Sequence, residues 1–456
     1  MFENCENKKD FLAAKKVISK LHELGYEAWL VGGCVRDDII GNIPHDYDVT
    51  TSADPVSIMS IFKHVADSNG IDFGTVMVTA DEEITEVTTY RAEGAYKDGR
   101  HPDEIEFVNN VMEDLARRDF TMNAIAYNTD TAEIVDPFGG VDDIKNKIIR
   151  AVGNPDTRFK EDALRILRAM RFSSVIGFMI EENTMKAMFA NKSGLQKISK
   201  ERITSELKKI LLGRNRIQVL LIFKDIIAEI FPEMLPAIQS ERQYHIFHIY
   251  NVYEHIVHSL DVKTDNVNIL IALLFHDIAK PSLETQDSNG IVHFKGHAEE
   301  SEKIARKILK KYKMDNKSID EICFYIKHHD IMNNMMADDI SRSTIRKLIS
   351  KYGNTAFYNL MTVIEGDTIG QNPFILDDIM KRNQAIINVA EDVISSNEAF
   401  KITDMEVNGY DVMNAGFCGR DIGEELQSLF DKIMDGEKNE RGILLNILEE
   451  DRKNFV

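Results

Sequence analysis

The 456 residues carry 55 lysines and arginines against 75 aspartates and glutamates, a formal charge of −20. That describes several acidic domains and argues against indiscriminate nucleic-acid binding, because a polyanion meets a repulsive average field. Hydrophobic residues at 43%, charged residues at 29%, nine prolines and 25 glycines exclude a disordered or fibrous chain.

In chain order, apolar periodicity predicts helices over Phe11–Leu24 and Asp54–Phe62, and β-branched runs predict strands at Ala28–Val31, Tyr47–Thr51, Gly74–Thr79, Ile84–Tyr90 and Ile105–Val108. This is a small α/β head of about 150 residues. After Gly153-Asn154-Pro155 amphipathic helical patterns run almost unbroken, among them Tyr244–Leu260, Val267–Lys280, Ile402–Met413 and Gly419–Met434. The longest apolar runs, such as Asn268 to Phe275, fall short of the ~20 residues a bilayer span needs, and the acidic Met1–Asp10 stretch is not read as a signal peptide. The four cysteines, Cys5, Cys34, Cys323 and Cys418, form no CxxC pair. The expectation is a cytoplasmic protein with no membrane partner, disulfide framework or thiolate zinc site. Segment 158–216 holds 14 lysines and arginines against six acids, a basic island in an acidic chain.

Trp29-Leu30-Val31 leads into Gly32-Gly33-Cys34-Val35-Arg36-Asp37, a strand ending in a glycine pair before a helix with Asp37 in its first turn. Such a turn offers backbone N–H groups to an anion. Thirteen residues after Gly33, period-two alternation in Asp46-Tyr47-Asp48 would turn both carboxylates to one side of a strand. Paired hard oxygen ligands suit Mg²⁺, which completes its shell with water and substrate phosphate.

The motifs Val31–Asp37, His45–Ala53, Ala116–Tyr127 and Glu161–Phe172 resemble those of the class II tRNA nucleotidyltransferases, the CCA-adding enzymes, which share a head with bacterial poly(A) polymerases. The resemblance implies a nucleotidyltransferase head of the DNA polymerase β type (1–150), an all-α neck (151–235), an HD-type helical body (236–370) and a helical tail that grips tRNA (371–456). It implies addition of CMP and AMP to tRNA 3′ ends from CTP and ATP, with tRNA rather than DNA as partner. Asp46 and Asp48 would hold the catalytic Mg²⁺, Gly33, Arg36 and Arg118 would contact the nucleotide, and Glu86 is the candidate third carboxylate. Asp136-Pro137-Phe138-Gly139-Gly140 matches the family's head-to-neck connection. Tyr90–Pro102 resembles the flexible loop of enzymes that add A, and Ile198–Leu211 resembles the neck helix. A-only addition and poly(A) synthesis remain the alternatives within this class; an HD phosphohydrolase with a nucleotide-sensing head is the alternative outside it.

Asp162 and Arg165, three apart, would share a helical face, followed by Arg168 and Arg171. A carboxylate only accepts hydrogen bonds and a guanidinium only donates them. Together they match a base edge with an amino group beside a ring-nitrogen acceptor, which cytosine and adenine share. Guanine and uracil would leave two groups unpaired at ~1–3 kcal/mol each, discrimination on the order of 100-fold.

In the helical body, His255, His276-Asp277 and Asp367, with His297 and His328 between, resemble the metal-dependent phosphohydrolases of the HD superfamily. Imidazole with carboxylate suits Mn²⁺, Fe²⁺, Ni²⁺ or Zn²⁺. The resemblance implies a second activity, hydrolysis of a terminal phosphate, a 2′-nucleotide or a 2′,3′-cyclic phosphate.

Overall fold

The computed structural model describes residues 1–63, 74–93, 105–241, 249–288, 292–332, 341–396 and 401–454. Contacts divide it into two compact units, Met1–Pro232 with Lys311–Met314, and Glu233–Lys310 with Asp315–Val456. The first unit is mixed α/β and then helical; the second is almost wholly helical.

The head is built on a mixed sheet of β1 (Ala28–Val31), β2 (Val49–Thr51), β3 (Thr75–Ala80), β4 (Glu83–Thr89), β7 (Ala126–Tyr127) and β8 (Ile134–Val135), in the order β3-β4-β2-β1-β7-β8. A separate antiparallel pair, β5 (Arg91–Glu93) and β6 (Ile105–Phe107), lies between β4 and β7 in the chain. β2 runs antiparallel to β1 and parallel to β4, with Val49 opposite Val87. The helix Lys9–Glu23 buries Phe11, Ala14, Val17, Ile18 and Leu21, spaced three or four apart. Asp54 caps the helix Pro55–Ile61 through the Ser57 N–H, and Asn154 caps Pro155–Glu161 through the Thr157 N–H, each with proline just inside the start.

Four local expectations are corrected. Asp46 and Asp48 stand on the lead-in to β2, which begins only at Val49. Asp37 is the fifth residue of the helix Gly33–Ile40, beyond its first turn. The predicted helix Val267–Lys280 ends at Phe275, with His276 as its C-cap at still helical dihedrals (φ −57°, ψ −33°) and Asp277 in the turn that follows. Asp162 does not share a helical face with Arg165: its backbone is extended (φ −140°, ψ 102°), and its side chain accepts the Leu164 N–H (2.9 Å) at the start of the helix Leu164–Ile176. A short carboxylate that bonds nearby backbone competes with the helix and breaks it. The Asp136 carboxylate likewise accepts the Gly140 and Val141 N–H groups (2.7 and 2.9 Å). A Cβ on Gly140 would lie 2.2 Å from the Thr121 carbonyl oxygen, so only glycine permits this approach.

In the second unit, Asn251 and Glu254 form a reciprocal cap at the helix Val252–Ser259. The tail has its own core of Val412, Phe417, Leu429, Ile433, Leu444 and Leu448. Among the described residues no helix is long and apolar enough to cross a membrane.

Candidate active site and metal centre

In the first unit a cavity of about 860 Å³ is lined by Gly33, Arg36, Asp46, Asp48, Arg118, Asp162, Arg165, Arg168 and Arg171. Stretches far apart in the chain thus meet on one hollow. Glu86, on β4, is not among the lining residues but neighbours Asp48 across the parallel strands: the two each precede one member of the Val49–Val87 pair. Burial, then Glu86 and Asp46, push the Asp48 carboxyl up to about 7 against the opposing pull of Arg118. Burial and Asp46 likewise raise Glu86. Carboxylates that raise one another in this way are a donor set that could hold a divalent cation.

The arginines are held by acids. Asp114, fully buried, accepts Arg117 Nη2 (2.7 Å), Arg118 Nη2 (3.1 Å) and the Thr50 hydroxyl (3.2 Å). This anchor was missed by sequence reasoning, although its spacing of three and four residues from the two arginines is the signal that could have revealed it. Gly32, at φ +77°, leaves room for Arg118: a Cβ there would meet Arg118 Nη1 at 3.0 Å. Asp119 pairs with Arg168 (2.6 Å) rather than with Arg118. Burial would raise its carboxyl, but Arg168 and Asn123 hold it down at about 2. Asp162 Oδ2 accepts Arg202 Nη2 (2.7 Å). Arg165 donates to Glu161 (2.7 Å) and to the Arg158 and Arg117 carbonyls (3.2 and 2.9 Å), which fixes the plane of its guanidinium. Within the loop predicted at Tyr90–Pro102, residues 94–102 lie outside the described residues.

In the second unit, one ligand atom each from His255, His276, Asp277 and Asp367 lies within 4.8 Å of the others, all four residues buried. A second group joins Asp277, His297 and His329. Asp277 belongs to both, its Oδ2 3.1 Å from His255 Nε2 and its Oδ1 3.3 Å from His297 Nε2. The expected His328 is replaced here by its neighbour. His328 ends its helix with Nε2 3.1 Å from the Tyr352 hydroxyl, whereas His329, one residue past the helix, aims Nε2 to within 3.1 Å of His297 Nε2.

The donor set fits metal ions. His255, His276, His297 and His329 each place Nδ1 2.7–2.9 Å from a backbone carbonyl oxygen, of Gly370, Leu273, Phe294 and Ile326. A carbonyl oxygen only accepts, so each neutral ring carries its proton on Nδ1 and turns the Nε2 lone pair inward. Both Asp277 oxygens are sealed from solvent without a properly angled hydrogen bond. Lys280, also missed from sequence, brings Nζ 2.5 Å from Asp277 Oδ2.

Residues 28–150 match the model of the poly A polymerase head domain, 177–238 that of a probable RNA- and SrmB-binding site of polymerase A, and 242–355 that of the HD domain. A CCA-adding enzyme of Limosilactobacillus reuteri is 46% identical over 230 residues, 50% of this chain and 56% of that protein, so the match spans little more than half of the relative's length. The crystal structure of Bacillus stearothermophilus CCA-adding enzyme in complex with CTP is 26% identical and superposes with a TM-score of 0.67 over 98% of this chain and 99% of that one. The Thermotoga maritima CCA-adding enzyme complexed with tRNA shares the fold, with 19% identity and a TM-score of 0.63 over 98% of this chain and 96% of that one. A head of this type and an HD domain together imply divalent metal ions. Its residues 28–150 thus match the poly A polymerase head and its helical body the HD domain, and about half of the chain is similar to curated CCA-adding enzymes, a solved member of which shares its fold.

Proposed function

We propose that this chain adds CMP and AMP to the 3′ end of tRNA without a nucleic-acid template. The observation that carries the reading is that the acidic pair Asp46 and Asp48 and the acceptor–donor pair Asp162 and Arg165 line one arginine-rich cavity. In the reaction the terminal 3′-hydroxyl oxygen forms a bond to the α-phosphorus of CTP or ATP, and the bond to the bridging oxygen breaks, releasing pyrophosphate. Asp46 and Asp48, with Glu86 as a third carboxylate, would hold Mg²⁺, which would supply Lewis-acid stabilisation of the phosphoryl charge. Arg36, Arg118, Arg168 and Arg171 take the phosphate oxygens through charge-assisted hydrogen bonds, and the backbone at Gly33 lets the nucleotide approach closely. Asp162 accepts from the exocyclic amino group while Arg165 donates to the neighbouring ring nitrogen, so cytosine and adenine satisfy both groups. The basic segment 158–216 carries the RNA backbone, which makes binding fall steeply with salt.

The test is incubation of the protein with tRNA lacking its last three nucleotides and one NTP at a time. CTP alone extends the RNA by two residues, and ATP follows only after CTP; UTP and GTP are used on the order of 100-fold less efficiently, two unpaired polar groups being the cause. Equal use of all four would refute the base reading, and a long A tail with CTP ignored would point to a poly(A) polymerase.

A pH dependence follows from Asp48. Its carboxyl is raised to about 7, so in the metal-free site it is protonated below that pH and the proton competes with Mg²⁺. Mg²⁺ binding at the head is expected to be about tenfold weaker at pH 6 than at pH 8, one proton being displaced per ion. Calorimetry in an Asp277→Asn background, which removes the helical-body cluster from the titration, measures it. Equal affinity at both pH values would contradict the assignment.

A second activity rests on the buried imidazole and carboxylate groups of the HD domain. His255, His276, Asp277 and Asp367 would hold one transition-metal ion, and Asp277, His297 and His329 a second. Such ions activate water for attack on phosphorus, which suits hydrolysis of a terminal phosphate, a 2′-nucleotide or a 2′,3′-cyclic phosphate on a damaged tRNA end.

A further inference from the structure

Three guanidinium groups in the head cavity gather around one aromatic ring. The guanidinium carbons of Arg171, Arg36 and Arg168 lie 4.3, 5.1 and 5.6 Å from the centroid of Phe172. Phe172 is 7% exposed and lines the cavity. The ring is locked from behind by Phe120, edge-on at 5.8 Å and 86°. Each arginine is also tethered by an acceptor. Arg36 donates to Asn123 (2.7 Å) and Asp37 (2.9 Å), Arg168 to Asp119 (2.8 Å), and Arg171 Nε lies 3.3 Å from Glu206. Arg36 comes from the helix behind the glycine turn, whereas Arg168 and Arg171 flank Phe172 on its own helix. Like charges so close would splay apart into solvent, and the electron-rich ring face attracts all three.

We infer that Phe172 is a positioning residue, the shared platform that keeps Arg36, Arg168 and Arg171 aimed together at the triphosphate. This rests on the reading of the cavity as the nucleotide site. The ring acts on the phosphates and not on the base, so its contribution is the same for CTP and ATP. Burial, then the neighbouring Arg168 guanidinium, depress the Arg171 pKa, which marks a seat crowded with cations before an anion arrives.

The experiment compares Phe172→Leu and Phe172→Tyr with the unaltered chain, reading KM and kcat for CTP and ATP together with the thermal midpoint. Leucine keeps the apolar bulk and removes the π face; tyrosine keeps the face. Phe172→Leu is expected to raise KM about tenfold for CTP and ATP alike, the loss of partly desolvated cation–π contacts, with kcat changed less, and Phe172→Tyr to restore KM. An unchanged KM with only a lowered midpoint would reduce Phe172 to core packing, and an effect on one nucleotide alone would contradict a phosphate-directed role; either overturns the inference. Should Phe172→Leu not fold, Phe172→Met, which also removes the π face while keeping the bulk, decides: KM raised for CTP and ATP alike supports the platform, and an unchanged KM overturns it. Absence of incorporation by the unaltered chain would sink the cavity reading itself, a separate failure.

Discussion

Replacing Asp46 and Asp48 together by alanine is expected to lower nucleotide incorporation by at least about a thousandfold, since Lewis-acid stabilisation of a transferring phosphoryl group is worth several kcal/mol. The same protein should remain folded. Asp48 sits in the native state with its carboxyl raised to about 7, so its charged form is disfavoured by folding. By linkage, a carboxylate with a raised native pKa costs stability progressively as pH rises from 3.8 to about 7 and fully above that, so its removal leaves the thermal midpoint equal or higher at pH 8. Phosphohydrolase activity from the HD domain should be untouched. A single-turnover incorporation assay with CTP, paired with a thermal scan, reads both. Incorporation within tenfold of the unaltered chain would remove these carboxylates from the reaction.

Asp277→Asn is expected to produce the opposite pattern. Asp277 is shared by the two groups of ligand atoms, so both lose a ligand, and hydrolysis of 2′,3′-cyclic phosphate should fall at least about a thousandfold for the same Lewis-acid reason. Incorporation of CTP and ATP should stay unchanged. The metal-free protein should also be less stable. Burial would raise the Asp277 carboxyl, yet His276 and Lys280 hold it well below the ordinary range. Neutralising it leaves the buried Lys280 without its counter-charge, a loss of ~3–5 kcal/mol. Metal content by atomic emission and a denaturant midpoint check both parts. A variant that keeps its metal and its hydrolysis would refute the centre as described.

The head was legible because its chemistry sits in short, ordered motifs. The glycine turn at Gly32-Gly33 and the carboxylates at Asp46 and Asp48 fall at the same end of the antiparallel β1–β2 pair, and strand periodicity found those strands to within two residues. What escaped lies where periodicity stops. Asp162 breaks the helix that i, i+3 spacing suggested, because its side chain bonds the Leu164 N–H. His328 and His329 are adjacent imidazoles at a helix end, still at helical dihedrals, so they point about 100° apart and only the packing of that helix shows that His329 is the one that faces Asp277. Asp114 looks like a surface acid in sequence, yet it is fully buried under two arginines. Phe172 reads as one more apolar position of an amphipathic helix, and its ring of arginines exists only once the helix Gly33–Ile40 brings Arg36 beside it.

A crystal structure of this chain with CTP and a truncated tRNA addresses the base-reading pair most directly. The cytosine amino nitrogen should lie about 2.7–3.2 Å from an Asp162 carboxylate oxygen, with the ring nitrogen facing the Arg165 guanidinium at a similar distance. A cytosine seated in the cavity with its edge turned toward solvent or toward other side chains would contradict the selection of C and A by these two residues.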